Sequence, residues 1–225
     1  MRQVTGRELF HRAEAEVPCV MLGSPYGGHW VAPAGLETGG VVYSAGVGED
    51  ISFDLDVIRR FGVTVHAFDP TPRSVRWVAQ QEVPPGFHMH ALGLAGRDGV
   101  ARFRPPDDPD HISHTILDRP STEDRGFDVE VRTLATLMGE LGHPRLDILK
   151  MDIEGAEYEV LDDICGARLE IDQILIEFHH QLPGVGLDRT RRAVRQLGEA
   201  GYRVFHISDT GREYSFAHTR TLESV

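Results

Sequence analysis

VVYSAGVGED, residues 41–50, decides the fold. The apolar run Val41 to Ser44 reads as a buried strand, and it breaks at Gly46 and Gly48 into a periodic segment, Ile51 to Phe61, that reads as a helix. Glycines at such a junction let the backbone turn tightly and come close to a ligand held at the helix N-terminus. Working outward, the alternation continues with a strand Thr64–Phe68, a helix Pro72–Gln81 that opens on proline, and a strand His88–Leu92. A βαβαβ succession of short apolar strands specifies a parallel sheet covered by helices, with right-handed crossovers.

The second half repeats the rhythm. The spacing predicts a helix Leu134–Leu141, a strand Asp147–Met151, a helix Glu157–Ile164, a strand Gln173–Phe178 and a helix Asp188–Ala200 that Gly201 stops. Strands Arg203–Ile207 and Glu213–Ala217 flank SDTGR, a hairpin signal, so an antiparallel pair closes an otherwise parallel sheet. Short strands VARFR and DVEVR bracket a polar, Pro-rich insertion near 104–127. Upstream, Thr5 and Glu8 form a capping box that predicts a helix to about Glu16. A Gly- and Pro-rich loop with room for a small strand pair follows to residue 40. The chain thus divides into 1–40, an appendage packing on the core, and 41–225, an α/β domain with helices on both faces of its sheet.

A chain of 225 residues with 40% hydrophobic and 26% charged composition needs neither disulfide nor metal to fold as one domain with extensions. Its net charge of -12 argues against general binding to nucleic acid phosphates or anionic membranes. Cys19 and Cys165 lie far apart without zinc-site spacing, which suits reduced thiols and a cytoplasmic location. No apolar run approaches the ~18 residues of a spanning helix, and the N-terminus lacks the layout of a secretion signal. The appended N-terminal helix, if exposed, is the natural contact for a homodimer. Lys150 is the sole lysine, a bias that base composition explains.

Two constellations carry chemistry. Asp69 ends the second strand, placed to accept hydrogen bonds from both hydroxyls of a ribose, which with the glycine turn suggests an adenosine-bearing cofactor. A pyrophosphate cofactor wants G-x-G-x-x-G, but Ile51 takes the third position and Glu49 and Asp50 would repel the phosphates. S-adenosylmethionine, with a sulfonium, an ammonium and no phosphate, suits those acids. In the second constellation, DILKMDIEGAEYEVL delivers Asp152 at a strand end and ILIEFHH delivers Glu177 and His179 on the next strand. A buried strand end is a costly place for an unpartnered carboxylate, so Asp152 and Glu177 read as site groups, with His179 as a third proton acceptor. Glu154 and Glu157 read first as helix-dipole partners. Asp152, Glu177 and His179 would also suit Mg²⁺ or Mn²⁺.

These residues resemble the FkbM-type S-adenosylmethionine-dependent methyltransferases over about residues 20–217. The resemblance rests on LDILKMDIEGAEYEVL with QILIEFH, and on VYSAGVGEDISFD, HAFDPTP, and HALGLAGRDGVARF followed by SHT. The N-terminal GSPYGGHWV is similar to a segment of one subgroup. The family implies a class I methyltransferase fold, Rossmann-like, with a seven-stranded, mostly parallel sheet, and O-methylation of hydroxyls on sugars or natural products. Cofactor contacts are then expected from Gly46, Gly48, Asp69, Leu92 and Asp152. Ser44 departs from the acid usual before the first glycine, and Glu49 or Asp50 is expected to stand in. The partner is a small hydroxylated acceptor. Two other readings are an NAD-dependent oxidoreductase or epimerase, which the acidic loop and hairpin oppose, and a non-catalytic binding protein, which the retained Asp152, Glu177 and His179 oppose.

Overall fold

The strand read at Val41 becomes the hub of the sheet. The computed structural model describes residues 11–104 and 126–222. A hairpin of β1 (Val20–Leu22) and β2 (His29–Val31) precedes β3 (Val41–Ala45), α1 (Ser52–Phe61), β4 (Thr64–Phe68), α2 (Pro72–Val78) and β5 (Phe87–His90). The chain continues through β6 (Gly93–Leu94), β7 (Gly99–Phe103), β8 (Phe127–Arg132), α3 (Leu134–Leu141), β9 (Arg145–Met151) and α4 (Glu157–Ala167). It ends with β10 (Glu170–Glu177), α5 (Leu187–Glu199), β11 (Tyr202–Ile207), β12 (Glu213–His218) and the single turn α6 (Thr219–Leu222).

Seven strands form the main sheet in the order β11-β12-β10-β9-β3-β4-β5. β12 runs antiparallel to both its neighbours, and the pairs from β10 across to β5 are parallel. The chain winds outward from β3 to β5 and then crosses back to β9 and β10, so the winding reverses between β3 and β9. A crevice opens at the carboxyl ends of strands where it does so.

Both faces are covered, which is why the strands read as unbroken apolar runs. Val42, Val65, Ile148 and Leu175 pack with Phe53 and Val57 of α1. Tyr43, Phe68, Leu149 and Ile176 point the other way, against α3, α4 and α5. The β1–β2 hairpin is tied to the sheet by Gln173, fully buried, whose amide accepts from Ala32 N at 2.9 Å and donates to Ala32 O at 2.8 Å.

Three expectations need amendment. Residues 11–16 of the expected N-terminal helix are not helical: Glu14 N and Ala15 N donate to Val204 O at 2.7 and 3.1 Å, so tertiary bonds to β11 displace helical ones. Its beginning, on which the expected homodimer contact also falls, lies outside the described residues. The third parallel strand stops at His90, because the chain then turns into a separate sheet of order β6-β8-β7. Leu92 therefore lies in a bend rather than at a strand end. Of the insertion near 104–127, residues 105–125 lie outside the described residues. Among the described residues, no helix is long and apolar enough to cross a membrane.

Candidate active site

The glycine turn is built by close backbone approach. Gly46 has φ +83°, and a Cβ there would fall 1.7 Å from the Asp152 carbonyl oxygen, so only glycine lets β3 end beside β9. The loop beyond is held by Asp69. Its Oδ2 accepts from Val47 N at 3.1 Å and Gly48 N at 2.9 Å, and its Oδ1 from Thr71 N at 2.8 Å and the Thr71 hydroxyl at 2.5 Å. Four bonds fill the acceptor sites of a carboxylate. The residue read as a ribose acceptor is thus committed as the clasp that shapes the loop, and would take ribose hydroxyls only by exchanging some of these bonds for them.

Across the crevice, the register of β9 and β10 pairs Met151 with Ile176, which brings Asp152 and Glu177 side by side beyond the strand ends. His179, 4% exposed, sits among four carboxylates. Its Nδ1 is hydrogen-bonded to Glu157 Oε1, which also accepts from Gly155 N at 3.1 Å. Its Nε2 lies 3.5 Å from Asp152, 3.6 Å from Glu154 and 4.0 Å from Glu177. The sequence grouped Asp152, Glu177 and His179 as the metal-binding set. The tightest trio is instead Asp152, Glu154 and His179, whose ligand atoms lie within 4.8 Å of one another. Glu154 reaches that place through a left-handed backbone, φ +52°, which is strained for a residue with a side chain. Helix-dipole reasoning missed Glu154 and Glu157, and only the D-x-E-G-x-E spacing at the strand end could have flagged them.

The electrostatics reassign the proton. Burial opposes a charged His179, but the charge and hydrogen bond of Glu157, with Glu154 and Asp152, push its pKa up to about 10. At neutral pH, His179 is an imidazolium, a donor rather than the acceptor expected. Glu177 moves the other way from an ordinary carboxylate: burial and then the charge of Asp152 raise it, opposed by His179 and by Arg212, whose guanidinium lies 3.7 Å away. A carboxyl raised in this manner exchanges its proton nearer neutrality, which suits a general base.

Gly46, Gly48, Asp69, Asp152, Glu177 and His179 line one cavity of about 610 Å³, the size of a cofactor site. Leu92 does not line it; its neighbours Gly93 and Leu94 do. Ser44 is fully buried beneath the loop, beside Asp54. Glu49 and Asp50 both line the cavity but are engaged elsewhere: Glu49 with Arg73 at 2.7 Å, Asp50 with the Ser24 hydroxyl at 2.5 Å and Ser52 N at 2.8 Å. Asp50 thereby fastens the N-terminal loop over the site, where Tyr26, 84% exposed, stands at the mouth.

Comparison with known proteins identifies the family and the fold. The family model described as the methyltransferase FkbM domain matches residues 45–204. The probable methyltransferase-like protein 24 of Rattus norvegicus is 28% identical over 179 residues, covering 73% of this chain and 42% of that protein. The Homo sapiens protein of the same name is 26% identical over the same shares. The chain therefore spans less than half the length of these relatives. Among solved structures, the Methanococcus jannaschii fibrillarin pre-rRNA processing protein superposes with a TM-score of 0.50 at 8% identity, over 81% of this chain and 68% of that one. That likeness concerns the fold, a class I methyltransferase fold.

Proposed function

We propose, on the premise that this chain belongs to the FkbM methyltransferase family, that it transfers a methyl group from S-adenosylmethionine to a hydroxyl of a small acceptor, a sugar or natural product. The observation that carries this reading is the single cavity joining the Asp69-clasped glycine loop to the carboxylates around His179. S-adenosylmethionine fits by charge: carboxylates outnumber Lys150, Arg212 and the imidazolium of His179 around the cavity, which favours a cationic ligand over a pyrophosphate. When bound, it supplies an electrophilic methyl group on a sulfonium.

The chain's own residues would then align the acceptor and handle its proton. Alignment alone is worth up to roughly 7 to 11 kcal/mol in such a displacement. A sugar hydroxyl is a poor nucleophile, so it needs a base within hydrogen-bond reach. Glu177 takes that role, while imidazolium His179 holds Asp152 and Glu154 in place and donates toward the acceptor oxygen. The same nest would hold a divalent cation. Nε2 of His179 with Asp152 and Glu154 is an oxygen-rich set with one imidazole, suited to Mg²⁺ or Mn²⁺, and Glu157 on Nδ1 is the outer carboxylate that orients such a ligand. The cation would stabilise the developing alkoxide.

Incubation with methyl-labelled S-adenosylmethionine and a panel of hydroxylated acceptors, with Mg²⁺ or with chelator, tests the reading. Label is expected in a hydroxylated product, and Glu177→Gln should abolish the transfer while leaving cofactor affinity within twofold. Label recovered only on amines or carbon, or a Glu177→Gln enzyme of full activity, would overturn it.

A further inference from the structure

Beneath the glycine loop lies a charge that the reaction does not use. Lys150 pairs with Ser44 across β9 and β3 and projects to the same sheet face as Ile148, toward α1. It is only 5% exposed, yet it lines the cavity. Its Nζ donates to the Gly46 carbonyl at 3.3 Å, one bond for an ammonium that can make three. Among the described residues, no carboxylate oxygen lies within 4.0 Å of it. Asp54 of α1, 1% exposed, is near enough for the lysine charge to oppose the effect of burial, which pushes the Asp54 carboxyl up to about 6. The Asp50 carboxyl also feels its charge, so the ammonium is offset by two carboxyls at a distance and by none in contact, a costly arrangement for a buried cation.

Its identity adds a second observation. Of 23 basic residues, only this one is lysine. Base composition accounts for arginine elsewhere but not for the exception. A guanidinium is a broad planar fork, whereas an ammonium is a compact point charge on a flexible stem, the shape that fits under a loop. Position supplies the third. Asp69 marks one side of the cavity, Asp152 and Glu177 the other, and Lys150 lies between them at the carbonyl of the first glycine. A cofactor reaching from Asp69 toward the reacting edge passes over this point.

We propose that Lys150 is the anion-binding contact of the cavity and takes the α-carboxylate of the cofactor's amino-acid tail, an inference that rests on reading the cavity as the S-adenosylmethionine site. The surrounding acids then serve the ammonium and sulfonium, so the two signs of a zwitterionic tail are sorted by Lys150 beneath the glycine loop, apart from the imidazolium of His179, which its own carboxylates engage.

Two probes separate this from a merely structural lysine. S-adenosylmethionine and its decarboxylated form share adenosine, sulfonium and amine and differ in the carboxylate alone. Calorimetry on the full chain should show the wild type binding S-adenosylmethionine at least tenfold more tightly than the decarboxylated compound. Lys150→Met should weaken S-adenosylmethionine binding by about tenfold to a hundredfold, as expected for one charge-assisted hydrogen bond, and leave the decarboxylated compound unaffected. Equal wild-type affinity for the two compounds overturns the proposal, and that comparison stands even if the variant fails to fold. So does a variant that weakens both by the same factor. A wild type that binds neither compound defeats the cofactor reading itself, a different and recognisable result.

Discussion

Replacing Glu157 tests the physical core of the site. Its side chain is fully buried, and Oε1 joins His179 Nδ1 to the Gly155 amide, bridging α4, the segment after β10 and the strained turn at Glu154. Glu157→Ala leaves a buried imidazolium without its nearest counter-charge, and breaking one side of a buried pair costs about 3–5 kcal/mol. For a chain of 225 residues, each kcal/mol moves Tm by about 2–4 °C, so the expected fall is roughly 6–20 °C. Glu157→Gln keeps an acceptor oxygen but not the charge, and should cost less, about 1–3 kcal/mol.

The pH dependence fixes the cause. His179 is raised from an ordinary 6.5 to about 10 in the folded chain, so the folded state binds the extra proton between those values. Its contribution is fully present below 6.5 and disappears as pH rises through 10. The stability gap between wild type and Glu157→Gln should therefore be widest at or below pH 6.5 and should narrow toward pH 10. Urea unfolding across that range, with imidazole ¹⁵N shifts of His179 as a direct titration, measures both. A gap independent of pH, or a His179 that titrates identically in the variant, would refute the assignment of the proton to this pair.

Gly46→Ala forces a Cβ to within 1.7 Å of backbone at φ +83°, and should cost at least ~2 kcal/mol in urea unfolding while abolishing cofactor binding; unchanged binding would contradict the close approach of β3 to β9. Asp69→Ala removes four hydrogen bonds that shape the loop and should weaken S-adenosylmethionine more than tenfold by calorimetry; an unaltered affinity would sink both the clasp and the ribose role. His29 is buried with its pKa pushed down to about 3 by burial and then by Lys150, so between pH 6.5 and 3 the unfolded chain binds more protons and stability falls on acidification. At pH 5 that loss is roughly 2 kcal/mol, and a His29→Leu protein should lack this part of the slope; identical acid slopes would exclude His29 as its source.

The sheet was legible because its chemistry is local. Val42–Ala45 and Leu146–Met151 are buried on both faces, and Val65, Ala67 and Phe68 are buried in the strand between Thr64 and Phe68; such apolar runs announce themselves without knowledge of their neighbours. The antiparallel end followed from one hairpin signal between Ile207 and Glu213. The N-terminal reading erred over residues 11–16, where a local capping signal was outweighed by hydrogen bonds to β11, some 190 residues distant. In the site, strand ends predicted that Asp152 and Glu177 would meet. That neither Glu49 nor Asp50 faces the cavity freely was not legible, because their partners Arg73 and Ser24 come from other segments. Nor was Glu154, whose place depends on a left-handed backbone that no residue preference encodes.

Four carboxylates around one buried imidazole repel one another, and their arrangement shows how that charge is tolerated: Glu157 alone is fully buried, while Asp152, Glu154 and Glu177 keep partial access to solvent. Glu157 is committed to Nδ1, which leaves Nε2 as the single point toward which Asp152, Glu154 and Glu177 are gathered. A proton on Nε2 satisfies that point in the resting protein. A divalent cation would satisfy it equally while releasing the proton, because a ligating imidazole must be neutral. Proton and cation would therefore be alternative occupants of one electrostatic niche. The strained Glu154 and the buried Glu157 belong to the niche itself, which explains their presence whichever occupant the reaction uses.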